Sequence, residues 1–435
     1  NTLYKAQEDN TDVYYFAGKD RSLAHCEVEG IANYVDLLKF TNGYSTGVSI
    51  FDDTEAIDED TCKTKSLCKI TSIYEYVLFD LTKAQCQELA KEYMGKYEES
   101  QYSEDLTNRT WVTEQNKPIN NWVKFGKYQN DLIRYRGYYS TTSTSYKEYS
   151  TMGECTSASS YNKNCTEYKY ANTGDDIYWR IIRTNSDRSV RLLYHGTNTT
   201  ATDAYIGRSA FNTTYNNPMY VGYMYGTSGS LVNNRTNTNN STIKGVIDTW
   251  YKDNLNTNYG KYISTTAVYC NDRSVTNGTY STSSSFDYAA YTRLVDNKTP
   301  SYDCSVTEDK FTVDTSTGNG KLTYPIALMT ADEVSFAGGL WNKNAPTWYY
   351  YNSVNSSSTG NTFWWLLSPY YWSGRYADVF GVNGSSFYPG NLANDIVDDT
   401  RGVRPALSLK SCVKYASGDG SASDPYTIKE TTSGC

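Results

Sequence analysis

The chain reads Phe363-Trp364-Trp365-Leu366-Leu367-Ser368-Pro369 at one end of its most informative stretch and Arg401-Gly402-Val403-Arg404-Pro405-Ala406-Leu407 at the other. Both segments are apolar enough to form a rigid frame, and we assign the rings of Trp364 and Trp365 to the core. The residues between the two segments combine large rings with small polar side chains, which is the composition of antibody-like contact surfaces. The pattern indicates a binding protein.

The expected contact residues lie between these two segments. Glycines and asparagines separate them, and such residues favour exposed loops. From composition alone, the candidates are Tyr370, Tyr371, Trp372, Ser373, Arg375, Tyr376, Phe380, Asn383, Ser385, Ser386, Tyr388, Asn391 and Asn394.

Length and composition limit the class of protein. At 435 residues the chain is too long for one ordinary core and suits two or three domains. Only 38% of the residues are hydrophobic, but 44 are tyrosines, so rings must supply much of the buried area and disorder is not expected. The net charge is -8 and no basic stripe follows the chain, so we do not expect nucleic acid as a partner.

The ten cysteines indicate an oxidising, extracellular compartment. Spacing alone does not determine connectivity, but the shortest loops favour Cys62–Cys68, Cys155–Cys165, Cys270–Cys304 and Cys412–Cys435, which leaves Cys26 for Cys86. The chain starts at Asn1 and contains no apolar run of membrane-spanning length. We interpret it as an ectodomain whose leader or anchor has been removed, so a membrane would be reached only through a segment absent from this chain.

Periodicity predicts two domains, residues 1–118 and 119–435. In the first, capping-box spacing predicts a helix at about 82–94. The second contains a Tyr/Ser/Thr-rich stretch at about 137–175, which we interpret as a surface insertion. Its expected elements are a hairpin over 177–194, a helix over 242–255 capped by Ser241 or Thr242, a short strand over 324–329, a helix opened by Thr330 and Glu333, a hairpin turning at Asn383-Gly384, and a strand over 403–409.

Five motifs in a fixed order carry a resemblance to a known family. They are Trp179-Arg180-Ile181-Ile182, Trp250-Tyr251, residues 326–333, residues 364–369 and residues 402–407. Together they resemble the C-type-lectin-fold surface proteins of gut Firmicutes-type bacteria, which are related to the formylglycine-generating-enzyme fold and to the variable proteins of diversity-generating retroelements. The resemblance covers about residues 121–415. It implies an α+β fold, with a small mixed or antiparallel sheet, two helices and long loops, preceded here by a smaller α+β domain.

The resemblance also implies a function and a site. It places a variable, ligand-facing surface within residues 368–404 and adds Asp378 and Asp395 to the expected ligand-binding residues. The implied function is extracellular adhesion at the bacterial cell surface, with a protein or glycan ligand on another cell or surface and no cofactor. Residues 1–7 are weakly similar to the stem of pilin-like proteins, so self-assembly through the first domain, as a subunit of a surface filament or pilus, is an alternative.

Metal-dependent and catalytic functions are less well supported by the sequence. Calcium-dependent sugar binding needs Glu-Pro-Asn and Trp-Asn-Asp sets, and neither occurs, so we expect no metal. The nearest approach, Asn394-Asp395 with Asp398 and Asp399, is interpreted as a solvated acidic loop. No Gly-x-Ser-x-Gly elbow accompanies His25 or His195, and the cysteines lie outside residues 363–409, so we do not expect an enzyme. A carbohydrate-processing enzyme with paired carboxylates stays open as a second alternative.

Overall fold

The computed structural model describes residues 2–8, 11–17, 122–185, 187–201, 203–336, 339, 341–342, 363–384, 388, 390–418 and 420–435. These residues form an α+β structure in which strands predominate, which confirms the α+β class that the sequence predicted. The helix predicted at 82–94, the pairs Cys26–Cys86 and Cys62–Cys68, and the candidate ligand residues Ser385 and Ser386 lie outside the described residues. Of the predicted first domain, the structure describes one antiparallel hairpin within residues 2–17.

The strands are numbered in chain order through the described residues. They are β1 (Thr2–Glu8), β2 (Thr11–Ala17), β3 (Trp122–Lys127), β4 (Leu132–Tyr138), β5 (Tyr146–Tyr149), β6 (Asn164–Ala171), β7 (Asp176–Thr184), β8 (Val190–Gly196), β9 (Gly207–Ser209), β10 (Met224–Tyr225), β11 (Asn239–Asn240), β12 (Tyr269–Cys270), β13 (Val275–Asn277), β14 (Phe286–Tyr288), β15 (Lys310–Phe311), β16 (Ile326–Leu328), β17 (Trp364–Trp372), β18 (Ala377–Val382), β19 (Leu392–Ile396), β20 (Arg401–Val403), β21 (Pro405–Leu409), β22 (Tyr415–Ser417) and β23 (Tyr426–Ile428).

The helices are short. The α-helices are α1 (Met152–Ser157), α2 (Leu231–Asn234), α3 (Thr242–Tyr251), α4 (Thr257–Tyr259), α5 (Ala289–Tyr291) and α6 (Ala331–Phe336). Single turns of 3₁₀-helix cover Pro218–Val221, Gly260–Tyr262 and Thr307–Asp309, and wider π-helical turns cover Lys252–Asn256 and Thr292–Asp296.

A seven-stranded sheet, here called the central sheet, has the order β16-β21-β8-β7-β3-β23-β22. Its pairs are antiparallel except for β23 with β3. The hairpin predicted over residues 177–194 is confirmed, because β7 pairs with β8 and Ile181 lies opposite Leu192. Every residue of β8 is buried, which is typical of a strand covered on both faces.

Helix α3 confirms the helix predicted over residues 242–255. Ser241 caps it, since its hydroxyl accepts a hydrogen bond from the Lys244 N–H over 3.2 Å. The apolar face packs on the central sheet, where the Trp250 ring makes edge contacts with Trp179 and Tyr194. The π-helical turn that follows continues this helical segment to Asn256.

Helix α6 opens with the predicted capping box. The Thr330 hydroxyl accepts from the Glu333 N–H over 3.0 Å, and the Glu333 carboxylate accepts from the Thr330 N–H over 2.9 Å. The helix ends at Phe336, and the Gly339 N–H donates to the Val334 carbonyl. The two reciprocal hydrogen bonds between Thr330 and Glu333 explain why so short a helix starts at a defined residue.

A second seven-stranded sheet, here called the outer sheet, carries the segment that opened the sequence analysis. Its order is β13-β14-β17-β18-β19, while β20 pairs in parallel with β17 and β9 pairs with β20. One face, the inner face, contributes Trp365, Leu367 and Val379 to the main core. Helix α6 packs against the opposite, outer face, where the Ala331 N–H donates to the Ser368 hydroxyl over 2.9 Å. The described sheets are therefore larger than the small sheet that the resemblance implies.

The hairpin predicted to turn at Asn383-Gly384 is wrong in its register. Strand β18 does pair with an antiparallel neighbour, but that neighbour starts at Leu392. The Asn383 N–H donates to the Asn391 carbonyl over 2.8 Å, so the ladder continues to these two residues and the chain does not turn at Asn383-Gly384. Gly390 has a φ of 70°, the left-handed conformation that glycine adopts at no steric cost, so the chain turns there.

The described chain contains three disulfides, and all three were predicted. Cys155 is bonded to Cys165, Cys270 to Cys304 and Cys412 to Cys435. These bonds fit an oxidising compartment. The first lies in the stretch interpreted as an insertion, where β4, β5 and β6 form a separate three-stranded sheet with α1 beside it.

Candidate ligand-binding surface on the outer sheet

A β-bulge brings two tyrosines to the same position on the outer sheet. Pro369 pairs with Val379 and Trp372 pairs with Ala377, so Tyr370 and Tyr371 together lie opposite the single residue Asp378. A position where two residues of one strand lie opposite a single residue of its partner is a β-bulge, and bulges often redirect side chains near functional sites. The bulge explains why two consecutive side chains of β17 both lie beside Asp378.

Five rings form a cluster here, called the outer aromatic cluster: Tyr291, Trp341, Tyr370, Tyr371 and Phe380. The Tyr370 ring is its centre, with centroids 4.9 Å from Tyr291, Trp341 and Phe380 and 5.1 Å from Tyr371. Trp341 is nearly parallel to it, and Phe380 meets it edge-on. Tyr291, Trp341 and Tyr371 are partly exposed, so the cluster has a buried base and an accessible rim.

The carboxyl group of Asp378 lies within this cluster and is only 4% exposed. Asn394 Nδ2 donates to Asp378 Oδ2 over 3.2 Å, and the Tyr371 hydroxyl approaches the same carboxyl group. Burial raises the pKa of Asp378 to about 7, and the negative charges of Asp395 and Asp399 contribute in the same direction. The carboxyl therefore changes its charge near neutral pH.

A cluster of three charged side chains, Asp395, Asp399 and Arg401, lies at the β19 edge of the outer sheet. Arg401 Nε donates to Asp395 Oδ2 over 2.6 Å, and Arg401 Nη2 donates to Asp399 Oδ2 over 3.1 Å. Burial nevertheless raises the pKa of Asp395, with the neighbouring Asp399 carboxyl as a further cause. This edge is therefore acidic, and its arginine is already engaged.

A tight turn joins β17 to β18 at the end of the surface. The Ser373 N–H donates to the Tyr376 carbonyl over 3.1 Å, and the Ser373 hydroxyl accepts from the N–H groups of Arg375 and Tyr376. Gly374, with a φ of 84°, supplies the left-handed conformation that the turn requires. Arg375 is exposed at the tip, and the partly exposed Tyr376 ring packs on Tyr215.

The structure corrects the expected exposure of several candidate residues. Trp372 is 1% exposed and Phe380 is 0% exposed, and Tyr370 and Asn391 are also buried. The reason is that packed layers cover both faces of the outer sheet at these positions, so a side chain is buried whichever face it points to. The expected exposure of Trp372 and Phe380 is therefore wrong.

Asp378 is buried as well, and the other candidates among the described residues have accessible side chains. Tyr388 is 55% exposed and Arg375 is exposed, while the others are partly exposed. The partly exposed candidates are Tyr371, Ser373, Tyr376, Asn383, Asn394 and Asp395.

Sequence reasoning missed three residues of this surface. Tyr291 and Trp341 belong to the outer aromatic cluster, and Asp287 lies opposite Tyr371 in the pairing of β14 with β17. All three are distant in sequence from residues 368–404, and no local motif marks them. Only the strand order of the outer sheet brings them to this site.

Comparisons with protein-family models, with curated proteins and with solved structures find no match for this chain. Chemistry and geometry therefore carry the functional inference. Within the described residues, no group of three or more His, Cys, Asp or Glu side chains is arranged to hold a metal ion. The same residues contain no helix that is both long enough and apolar enough to cross a membrane.

A cavity of about 350 Å³ lies elsewhere, beside the Cys270–Cys304 disulfide. Arg293 bridges two of its carboxylates, with Asp272 at 2.8 Å and Asp332 at 2.9 Å. Glu333, a buried residue that also lines the cavity, accepts a hydrogen bond from Arg183 Nε over 2.8 Å. These charges are satisfied within the protein, so we assign them to structure rather than to a ligand: Arg183 and Glu333 hold β7 to α6, and Arg293 joins Asp272 to Asp332 of α6.

Proposed function

We propose that this protein is an extracellular ligand-recognition protein of the C-type-lectin type, acting in adhesion at a bacterial cell surface. Its recognition surface comprises the rim of the outer aromatic cluster, the turn of residues 373–376 and the adjoining part of β19. The ligand is a protein or glycan on another cell or surface.

One observation carries the proposal: accessible, adaptable side chains lie on a rigid and densely packed frame. Trp364 and Trp365 are fully buried beneath the surface, and Trp365 Nε1 donates to the Ser209 carbonyl over 2.9 Å. Arg404 is also fully buried, where its Nε donates to the Tyr194 carbonyl of the central sheet over 2.8 Å. A rigid frame lowers the entropy that binding must overcome, and tyrosine provides large contact area with few rotatable bonds.

The accessible side chains are of the types that contribute to protein recognition. Tyr371 and Tyr376 provide rings, Arg375 provides a positive charge at a turn tip, and Asn394 provides an adaptable amide. Rings and arginine are the side chains that contribute most at protein interfaces. Serine and asparagine adjust hydrogen bonds to the partner.

The carbohydrate-processing alternative receives little support from the best-placed carboxylates. Asp378 pairs with Ile396 and Asp395 pairs with Val379, so the two aspartates occupy adjacent positions of opposite orientation across the β18–β19 ladder. Glycoside hydrolysis requires two carboxyl groups that face one another across the substrate. The filament alternative depends on residues 1–118, most of which lie outside the described chain, and stays a prediction.

The experiment compares wild-type protein with a variant that combines Tyr371→Ala, Arg375→Ala and Tyr376→Ala. Fluorescently labelled protein is applied to a glycan array and to intact bacterial and host cells. We expect wild-type binding to at least one of these and at least a tenfold loss in the variant, since interface rings and arginines often contribute about 2 kcal/mol or more each. The matched control is Tyr139→Ala, because Tyr139 is an exposed tyrosine on the separate three-stranded-sheet region. Unchanged binding by the triple variant, or no binding by the wild type, would refute the proposal.

A further inference from the structure

One carboxylate oxygen of Asp378 has no hydrogen-bond partner among the residues that the structure describes. Asp378 Oδ2 accepts from Asn394, and the Tyr371 hydroxyl approaches the carboxyl group, but Oδ1 is buried and no described donor meets it with hydrogen-bond geometry. A buried carboxylate oxygen without a donor is costly, and such atoms are rare in native proteins. The missing donor is what a ligand would supply.

The surroundings of Asp378 are suited to a cation. Tyr370 and Tyr371 flank it from β17, and the ring of Tyr291 contacts Tyr370 from α5. The faces of aromatic rings attract cations electrostatically, most strongly where water is excluded. Trp341 and Phe380 complete the wall of rings around Tyr370.

The charges near Asp378 are also mostly negative. Asp395 and Asp399 are the charged groups that act most strongly on Asp378, and Asp287 acts on Tyr370 and Tyr371 from β14. Arg401, the nearby arginine, is bonded to Asp395 and Asp399. The cluster therefore favours an incoming positive charge.

The burial of the Asp378 carboxyl group and the number of N–H groups on each cation indicate which cation fits. Asp378 is buried next to the partly exposed Tyr371 and Asn394, so a ligand that reaches its carboxyl group needs a thin stem. A guanidinium group prefers two free carboxylate oxygens, but Asn394 already occupies Oδ2. A quaternary ammonium has no N–H to donate, whereas a primary ammonium has three.

We propose that the outer aromatic cluster binds a primary ammonium group, which donates a hydrogen bond to Asp378 Oδ1 while its stem lies between the rings of Tyr371 and the neighbouring rim residues. This inference rests on the proposed function, because it names the ligand chemistry of the same surface. The ammonium belongs either to a lysine side chain or to an amino sugar.

Calorimetric titration at pH 8 distinguishes these two sources. The charged probes are Nα-acetyl-lysine methylamide and glucosamine, and their uncharged counterparts are the Nε-acetylated lysine derivative and N-acetylglucosamine. We expect one charged probe to bind and its acetylated counterpart to bind at least tenfold more weakly. Equal binding of a charged probe and its acetylated counterpart would refute the inference, and so would the absence of binding by all four.

The variant Asp378→Asn tests the residue. It keeps the shape of the side chain but removes the charge, and we expect at least a tenfold loss of affinity for the charged probe with an unchanged near-ultraviolet circular dichroism spectrum. The matched control is Asp314→Asn, because Asp314 is exposed and distant from Asp378 in the sequence. Unchanged affinity in Asp378→Asn would contradict the assignment.

A pH series provides a second readout that does not depend on the variant folding. Wild-type affinity for the lysine probe should fall as pH decreases from 8 to 5.5, because Asp378 takes up a proton in this range while the lysine ammonium stays charged. Affinity that is independent of pH would also refute the inference. If the triple variant of Tyr371, Arg375 and Tyr376 loses cell or glycan binding while no amine probe binds, the ammonium inference fails and the recognition function stands.

Discussion

The Cys270–Cys304 disulfide closes a span of 34 residues that carries the edge of the proposed ligand-binding surface. This span includes β13, β14 and α5, and therefore Asp287 and Tyr291. Strand β14 is held to β17 by only two registered pairs, one of which is Asp287 with Tyr371. Replacing both cysteines by serine should therefore loosen this edge of the surface.

The expected magnitude follows from the length of the closed loop. In the chain-entropy account, a loop of 34 residues contributes about 4 kcal/mol to the free energy of unfolding, and a 10-residue loop contributes about 3 kcal/mol. The Cys155–Cys165 bond closes the shorter loop and lies in the separate three-stranded-sheet region. Its removal provides a matched control with a similar loss of stability at another place.

Hydrogen exchange measured by mass spectrometry separates the two effects. In the variant lacking Cys270 and Cys304, amide exchange should accelerate in peptides covering residues 284–292 and 369–373. In the variant lacking Cys155 and Cys165, those peptides should exchange as in the wild type, while peptides from residues 146–170 exchange faster. Equal protection of residues 284–292 in all three proteins would refute the idea that this disulfide holds the edge of the surface.

Two further predictions concern stability. Asp309→Ala should lower the free energy of unfolding by about 3–5 kcal/mol, because the carboxylate accepts from Arg273 Nε and Arg235 Nη2 over 2.7 Å and its loss leaves the fully buried Arg273 uncompensated. Urea unfolding followed by tryptophan fluorescence measures this, and a loss no larger than that of the exposed Asp314→Ala would contradict it. The second prediction is that Asp378 makes the protein less stable as pH rises: its folded-state pKa of about 7 exceeds its ordinary value of 3.8, so between these values the folded state holds a proton that the unfolded state has lost. Asp378→Asn should therefore raise the melting temperature more at pH 8 than at pH 5, and an equal change at both would count against the assigned pKa.

The parts of the fold that the sequence predicts well are those with local causes. The capping box at Thr330 and Glu333 depends on residues three apart, and the Ser241 cap of α3 depends on the next turn of the same helix. The hairpin of β7 and β8 needs only two apolar runs and a polar turn between them. Three disulfide pairings followed from loop length for the same reason, since short loops close at the lowest entropic cost.

The site is less predictable because it depends on contacts that are distant in sequence. The bulge that places Tyr370 and Tyr371 opposite Asp378 is a property of the pairing between β17 and β18. The approach of Tyr291 and Trp341 requires the strand order of the outer sheet and the path of the chain after α6. Neither is encoded in a short motif.

Ring-rich composition does not by itself distinguish a contact surface from a buried layer, and the outer sheet contains both. Trp372 and Phe380 have the same composition signal as Tyr371 and Tyr376, but packed layers on both faces of the sheet bury them. Replacing a buried Trp or Phe by alanine typically costs about 3–5 kcal/mol, which is a large part of the roughly 5–15 kcal/mol that stabilises a native protein. Positions that vary freely in such a surface must therefore be those whose side chains carry little packing, such as Arg375 and Tyr388. By this reasoning, Arg375 at the turn tip and the exposed Tyr388 are positions within residues 368–404 that should tolerate substitution without loss of the fold, whereas the buried rings belong to the frame.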